Sequence, residues 1–145
     1  MMRILVATDG SRHARRAAEL AAHLVRELRE AEVVLVNAGH IPAIALGGPG
    51  PDVMVDYGAL EAGFEKAGQT ILAETAAVFH GMDVPVTAQY RRGEPSHEII
   101  AAAAEAKADL IIMGSRGLGQ IGGLILGSVS EHVLHGARIP VLIVR

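Results

Sequence analysis

Short runs in which every position is apolar alternate along this chain with longer stretches in which apolar residues recur every three or four positions. Residues 3–7, 32–38 and 109–113 hold runs of the first kind, Ile4-Leu5-Val6-Ala7, Val33-Val34-Leu35-Val36 and Leu110-Ile111-Ile112-Met113. Such runs suit strands covered on both faces. Residues 84–90 alternate instead, with Val84, Val86, Ala88 and Tyr90 on one side, which suits a strand at a sheet edge. A fifth run, residues 140–144 from Pro140 to Val144, closes the chain.

Between these runs the period is helical. From Arg12 to about Glu30, Ala14, Ala17, Ala18, Ala21, Leu24, Val25 and Leu28 share a face, and Ser11 stands ahead of them as an N-cap. A second helix is predicted from about Tyr57 to Phe79, with Leu60, Phe64, Ala67, Ile71 and Val78 near one face. Gly58, Gly63 and Gly68 each weaken it by about 1 kcal/mol relative to alanine, and Gly81 ends it. Pro95 opens a third helix with Ile99, Ile100, Ala103 and Ala106 inward. A fourth, short helix runs from Ser128 to about His135 and stops at Gly136. Residues 39–56, with Gly47-Gly48-Pro49-Gly50-Pro51 at their centre, read as a mobile surface loop. The order is βαβαβαβαβ, which implies a single α/β domain with a parallel sheet, right-handed crossovers and helices on both faces.

Composition narrows the partners. The chain has 145 residues, enough for one domain that removes roughly 70% of its unfolded surface from water. Aromatic residues make up 3% against 50% hydrophobic, so the core is aliphatic and rich in alanine. Thirteen basic residues against 16 acidic ones, with no basic cluster beside aromatics, argue against nucleic acid. There is no cysteine, hence no disulfide framework and no cysteine-based zinc site. No run approaches the ~20 apolar residues that span a bilayer, and Met1-Met2-Arg3 leads directly into a strand. A soluble, cytoplasmic protein without a membrane partner is expected.

The candidate chemistry lies between Gly114 and Ser130, where glycines and serines fill a strand-to-helix passage. Residues without a Cβ let main-chain N–H groups turn inward around an anion, and the helix that follows adds its own unpaired N–H groups and positive dipole end. The P-loop pattern with its lysine is absent. Ser128 and Glu131 also have capping-box spacing, so the end of the stretch also reads as helix-start chemistry alone. In parallel α/β sheets ligands bind beyond the carboxyl ends of the strands where strand order reverses. With that point between the first and fourth strands, Thr8-Asp9-Gly10 and Gly114-Ser115-Arg116-Gly117 become opposite lips of one crevice.

With these residues the chain resembles the universal stress protein family over nearly its full length, specifically the ATP-binding branch. The resemblance rests on Ile4-Leu5-Val6-Ala7-Thr8-Asp9-Gly10-Ser11, on a G-x2-G-x9-G-[ST] pattern met by Gly114, Gly117, Gly127 and Ser128, and on Ile139-Pro140-Val141-Leu142-Ile143-Val144. It implies one universal stress protein domain over residues 1–145, Rossmann-like, with strand order 3-2-1-4-5 and an adenine nucleotide such as ATP in the crevice, with Mg²⁺ or Mn²⁺ alongside. By the same resemblance Asp9 holds the ribose, Ala7, Thr8, Ala38 and Met113 surround adenine, and Gly114, Arg116, Gly117, Gly127, Ser128, Val129 and Ser130 wrap the phosphates. Homodimers through the last strand and a role in stress response are also implied. Asn37 departs from the pattern, standing where many members carry histidine.

The stretch from Gly114 to Ser130 contains no Asp, Glu or His, and Arg116 is the only cation the sequence places near it. Fast phosphoryl transfer needs a group that positions water and several charges around the γ-phosphate. No catalytic residue and no protein metal site is therefore assigned; His132 and His135, one helical turn apart, read as surface residues. Three readings follow: an ATP-binding regulatory protein with slow or no hydrolysis, an ATPase or phosphotransferase completed by a loop or partner, and a nucleotide-free interaction module of the same fold.

Overall fold

The computed structural model describes residues 1–39, 56–117 and 126–145. Strand β1 (Met2–Ala7) lies at the centre of a five-stranded sheet. It pairs in parallel with β2 (Ala31–Gly39) on one side and β4 (Leu110–Gly114) on the other. Strands β3 (Val86–Arg92) and β5 (Val141–Val144) form the edges, also parallel, so the order is β3-β2-β1-β4-β5. Helices α1 (Arg12–Glu27), α2 (Tyr57–Ala76), α3 (Pro95–Glu105) and α4 (Ser128–Gly136) cover the two faces.

Strand period decides which residue meets which helix. Ile4, Val6, Val33, Leu35 and Ile112 point to one face, where they pack on Ala17, Ala18, Ala21 and Val25 of α1 and on Leu72 of α2. Leu5, Val34, Val36, Ile111 and Met113 point to the other, against Ile99, Ala102 and Ala103 of α3 and Val133 of α4. Both faces of the central strands are buried, which is why they read as unbroken apolar runs. The alanine stripe of α1 brings that helix close to the sheet, while Ser11 caps it by accepting from the Ala14 N–H at 3.2 Å.

Several boundaries differ from expectation for local reasons. Strand β3 begins at Val86 because Pro85 has no N–H for the ladder, although its carbonyl accepts from Val33. Pro140 is left outside β5 in the same way, its carbonyl accepting from Ile111. Helix α1 stops at Glu27, with Leu28 already extended. The last turn before Gly81 tightens into a 3-10 turn at Ala77–Phe79, and Gly81 takes a φ of +77°. The capping box from Ser128 to Glu131 does not form: Gly127 is the N-cap and Ser128 is already in the first turn. Gly136 belongs to α4 rather than stopping it, and a Cβ there would come within 2.8 Å of Ile100. The loop expected over residues 39–56 falls, except at its ends, outside the described residues.

Helix α2 departs most from its sequence pattern. Leu60 and Phe64 are exposed, and the buried side is Gly68, Leu72 and Thr75. Gly68 sits where α2 crosses β2 and β3. A Cβ there would strike the Tyr90 ring and lie 2.6 Å from Asn37 Oδ1. Burial under this helix also raises the Tyr90 hydroxyl above its ordinary pKa. The β3 edge is further held by ion pairs from Arg92 to Glu61 and Glu65 of α2 and from Arg91 to Glu98 and Glu105 of α3.

The two glycines of α2 should therefore respond oppositely to alanine. Gly63→Ala, with open space around its Cβ, is expected to gain about 1 kcal/mol from helix propensity. Gly68→Ala is expected to lose about 1–3 kcal/mol through overpacking. Urea unfolding of the two variants checks this, and equal gains would remove the packing role of Gly68.

Candidate functional site

The reversal of strand order between β1 and β4 leaves their carboxyl ends diverging, β1 toward α1 on one face and β4 toward α4 on the other. Beyond β1, the Thr8 N–H donates to the Val36 carbonyl at 2.9 Å, which continues the ladder one residue further. Asp9 Oδ1 then accepts from the Ser11 N–H at 2.9 Å, the side-chain turn that short acids favour. Gly10 supplies the positive φ of +78° that this turn requires. Ser11, besides capping α1, donates to the Arg116 carbonyl at 3.4 Å and so ties the β1 turn to the segment after β4.

Gly114 makes that approach possible. A Cβ on it would lie 2.8 Å from the backbone of His13 and Ala14, so any larger residue would push α1 off the end of β4. Gly117 similarly passes against the Asp9 carboxylate, with which a Cβ would collide. Further along, Ser115 is the anchor. Its N–H donates to Val144 at 2.7 Å, and its carbonyl accepts from the Gly127 N–H at 2.7 Å and lies 2.9 Å from the Ser130 hydroxyl. The same hydroxyl lies 2.9 Å from the Gly127 carbonyl. The two described ends of the glycine stretch are thus fastened together at its base.

Between these elements lies a cavity of ≈150 Å³. Of the residues proposed from sequence, Ala7, Thr8, Asp9, Ala38, Met113, Gly114, Arg116, Gly117 and Val129 line it. Gly127, Ser128 and Ser130 do not; Gly127 and Ser130 shape the loop base, and Ser128 begins α4. Residues 118–125 of the glycine stretch lie outside the described residues. Sequence reasoning missed Ala14, Val36, Pro95 and Ile99, which complete the wall. The signal for Val36 and Ile99 was strand and helix phase, since both face the same side as Met113.

Asn37 points away from this cavity, to the opposite face of the sheet. Its Nδ2 donates to the Thr8 carbonyl at 2.8 Å, and Thr8 Oγ1 lies 3.2 Å from Thr75 Oγ1 of α2. Asn37 therefore braces the β1 turn from behind.

Among the described residues Arg116 is the cation that lines the cavity, with the Asp9 carboxylate also in its wall; Arg12 and Arg16, at the start of α1, act together with Arg116 on His13. Burial first, then the charges of Arg12, Arg116 and Arg16, hold the His13 imidazole below its ordinary pKa, against the pull of Asp9. Arg116 Nε is buried and has no hydrogen-bond partner, an arrangement that an anion relieves. Among the described residues no group of three or more His, Asp or Glu is placed to hold a metal ion. No described helix is long and apolar enough to cross a membrane.

A doubly wound α/β sheet with a cavity at its switch point, lined by Gly114, Gly117 and Arg116, defines the class. The universal stress protein family model matches residues 1–145, and the chain belongs to that family. It is 40% identical over 143 residues to a universal stress protein of Thermus aquaticus, covering 98% of this chain and 97% of that one. Among solved structures, hypothetical protein MJ0577 superposes with a TM-score of 0.84 at 25% identity, covering 98% of this chain and 94% of that one. A universal stress protein in complex with cAMP superposes with a TM-score of 0.69 at 25% identity, covering 99% and 96%.

The charge at the cavity mouth gives a measurable sign. A bound polyphosphate favours the protonated imidazole, so His13 should titrate at higher pH with pyrophosphate than without it. By linkage, pyrophosphate affinity should rise as pH falls through that range. Imidazole NMR titration checks both; an unchanged His13 titration would place the anion away from α1.

Proposed function

We propose that the chain is a single ATP-binding universal stress protein domain over residues 1–145, cytoplasmic, acting as a nucleotide-dependent regulator in stress response. The observation that carries this reading is Arg116, which lines the cavity while its buried Nε lacks a partner. The base would enter the apolar end of the cavity, between Val36, Ala38, Ile99 and Met113. Asp9 would meet the ribose, and the phosphates would reach Gly114, Arg116, Gly117 and the first turn of α4 at Val129, with Ser130 fixing the loop base behind it. Helix N–H groups there suit an anion. The cAMP complex of a relative with the same fold supports an adenine nucleotide.

Mg²⁺ or Mn²⁺ would arrive with the triphosphate. Such ions keep most of their shell as water and phosphate oxygen and need one or two carboxylates at most, which Asp9 at the cavity wall can provide. Hydrolysis should be slow or absent, because among the described residues lining the cavity Asp9 is the one acid, no histidine joins it and Arg116 is the one cation. We further propose a homodimer through β5, whose apolar residues Val141 to Val144 are half-buried at the sheet edge.

Titration of the nucleotide-stripped protein with Mg·ATP, with phosphate release followed in parallel, tests the reading. A Kd near or below micromolar, about −8 kcal/mol, is expected, with turnover far below the order of 10 per second typical of enzymes. Arg116→Gln should weaken ATP by about 10- to 100-fold, the worth of a charged hydrogen bond, at an unchanged thermal midpoint. Turnover at enzymatic rates would favour a phosphotransferase. No binding at millimolar ATP would leave an interaction module of the same fold.

A further inference from the structure

A second cavity, of ≈420 Å³, opens at the opposite end of the α3 and α4 face. It lies between the last turns of those helices, with Ile100, Ala103, Ile111 and Ile139 forming apolar walls and Lys107 and Arg138 also lining it. The volume falls within the range of small-molecule sites. Its floor is β4 near Ile111, two residues before Met113, which lines the first cavity.

Lys107 occupies an unusual backbone position. Helix α3 ends with the Lys107 N–H donating to the Ala104 carbonyl at 3.1 Å and the Ala108 N–H to the Ala103 carbonyl at 2.9 Å. That pair of bonds requires a left-handed residue between helix and strand, a place normally taken by glycine. Here it is a lysine, with a φ of +52°, the one non-glycine with positive φ among the described residues. A strained residue at a cavity wall is a pointer to function. Arg3 Nη1 donates to the carbonyl of Ala106, the C-cap of α3, at 2.5 Å, so that carbonyl does not call on Lys107. Among the described residues neither Lys107 nor Arg138 forms an ion pair.

We propose that this cavity binds a small amphipathic carboxylate, its apolar body against Ile100 and Ile139, above the buried Ile111, and its carboxylate between Lys107 and Arg138. Lys107 and Arg138, exposed at the rim of an apolar hollow, suit an anionic head on an apolar body: a neutral apolar ligand leaves them unused, and a compact polar anion leaves the walls wet.

Sodium hexanoate, octanoate and decanoate, each below its micelle concentration, serve as probes. Methyl NMR should show shifts at Ile100, Ile111 and Ile139, and each added methylene should tighten binding about twofold to fourfold, the latter equal to about 0.8 kcal/mol. Arg138→Gln should weaken decanoate about tenfold and leave decanol unchanged. Lys107→Gly should weaken decanoate similarly while raising the thermal midpoint by about 2–5 °C, because the strain is released. A lysine kept only for folding would give no loss of decanoate, which overturns the proposal. So would shifts confined to Val36, Ile99 and Val129, or no chain-length dependence.

Discussion

The backbone contact between α1 and the end of β4 is the constraint on which the candidate nucleotide site depends. Gly114 has no room for a Cβ because His13 and Ala14 lie against it. That contact sets the first turn of α1, and with it Asp9, Ser11 and the cationic residues, beside the segment leaving β4. Ser11 then joins the two lips by one hydroxyl, which caps a helix on one side and donates to Arg116 on the other. Without the glycine, the same elements would still form a doubly wound sheet, but its switch point would be wider and its cavity unwalled on the α1 side.

The rear of the site is built by different means. Asn37 reaches from β2 to the Thr8 carbonyl, and α2 closes over it through the notch at Gly68. The position of Asn37 thus belongs to the support of the β1 turn, not to the lining of the cavity. It is buried and hydrogen-bonded, as a polar group must be to sit under a helix without a large penalty.

Much of this was legible in the sequence because strands buried on both faces write continuous apolar runs, and α1 writes a clean alanine stripe. The strand order, the five strands and the lips of the crevice at Thr8 to Gly10 and Gly114 to Gly117 follow from those runs and the family resemblance together. What the sequence hid was set by tertiary approach. Periodicity in α2 pointed to Leu60 and Phe64, yet the buried side follows the glycine that Tyr90 demands. Gly114 and Gly117 looked like phosphate-loop glycines, and in the fold they also have steric duties toward α1 and Asp9. The joint action of Arg116, Arg12 and Arg16 on His13 was invisible because Arg116 comes from the far end of the chain.

The sheet has two unlike edges. Along β3 the terminal residues Arg91 and Arg92 are engaged by four glutamates from the flanking helices, whereas β5 is a bare row of Val141, Leu142, Ile143 and Val144. An antiparallel partner could add at the second edge but would meet charge and fixed side chains at the first. Were β5 to pair with a second copy about a two-fold axis, that pairing would occupy the uncharged margin and strand addition would stop there.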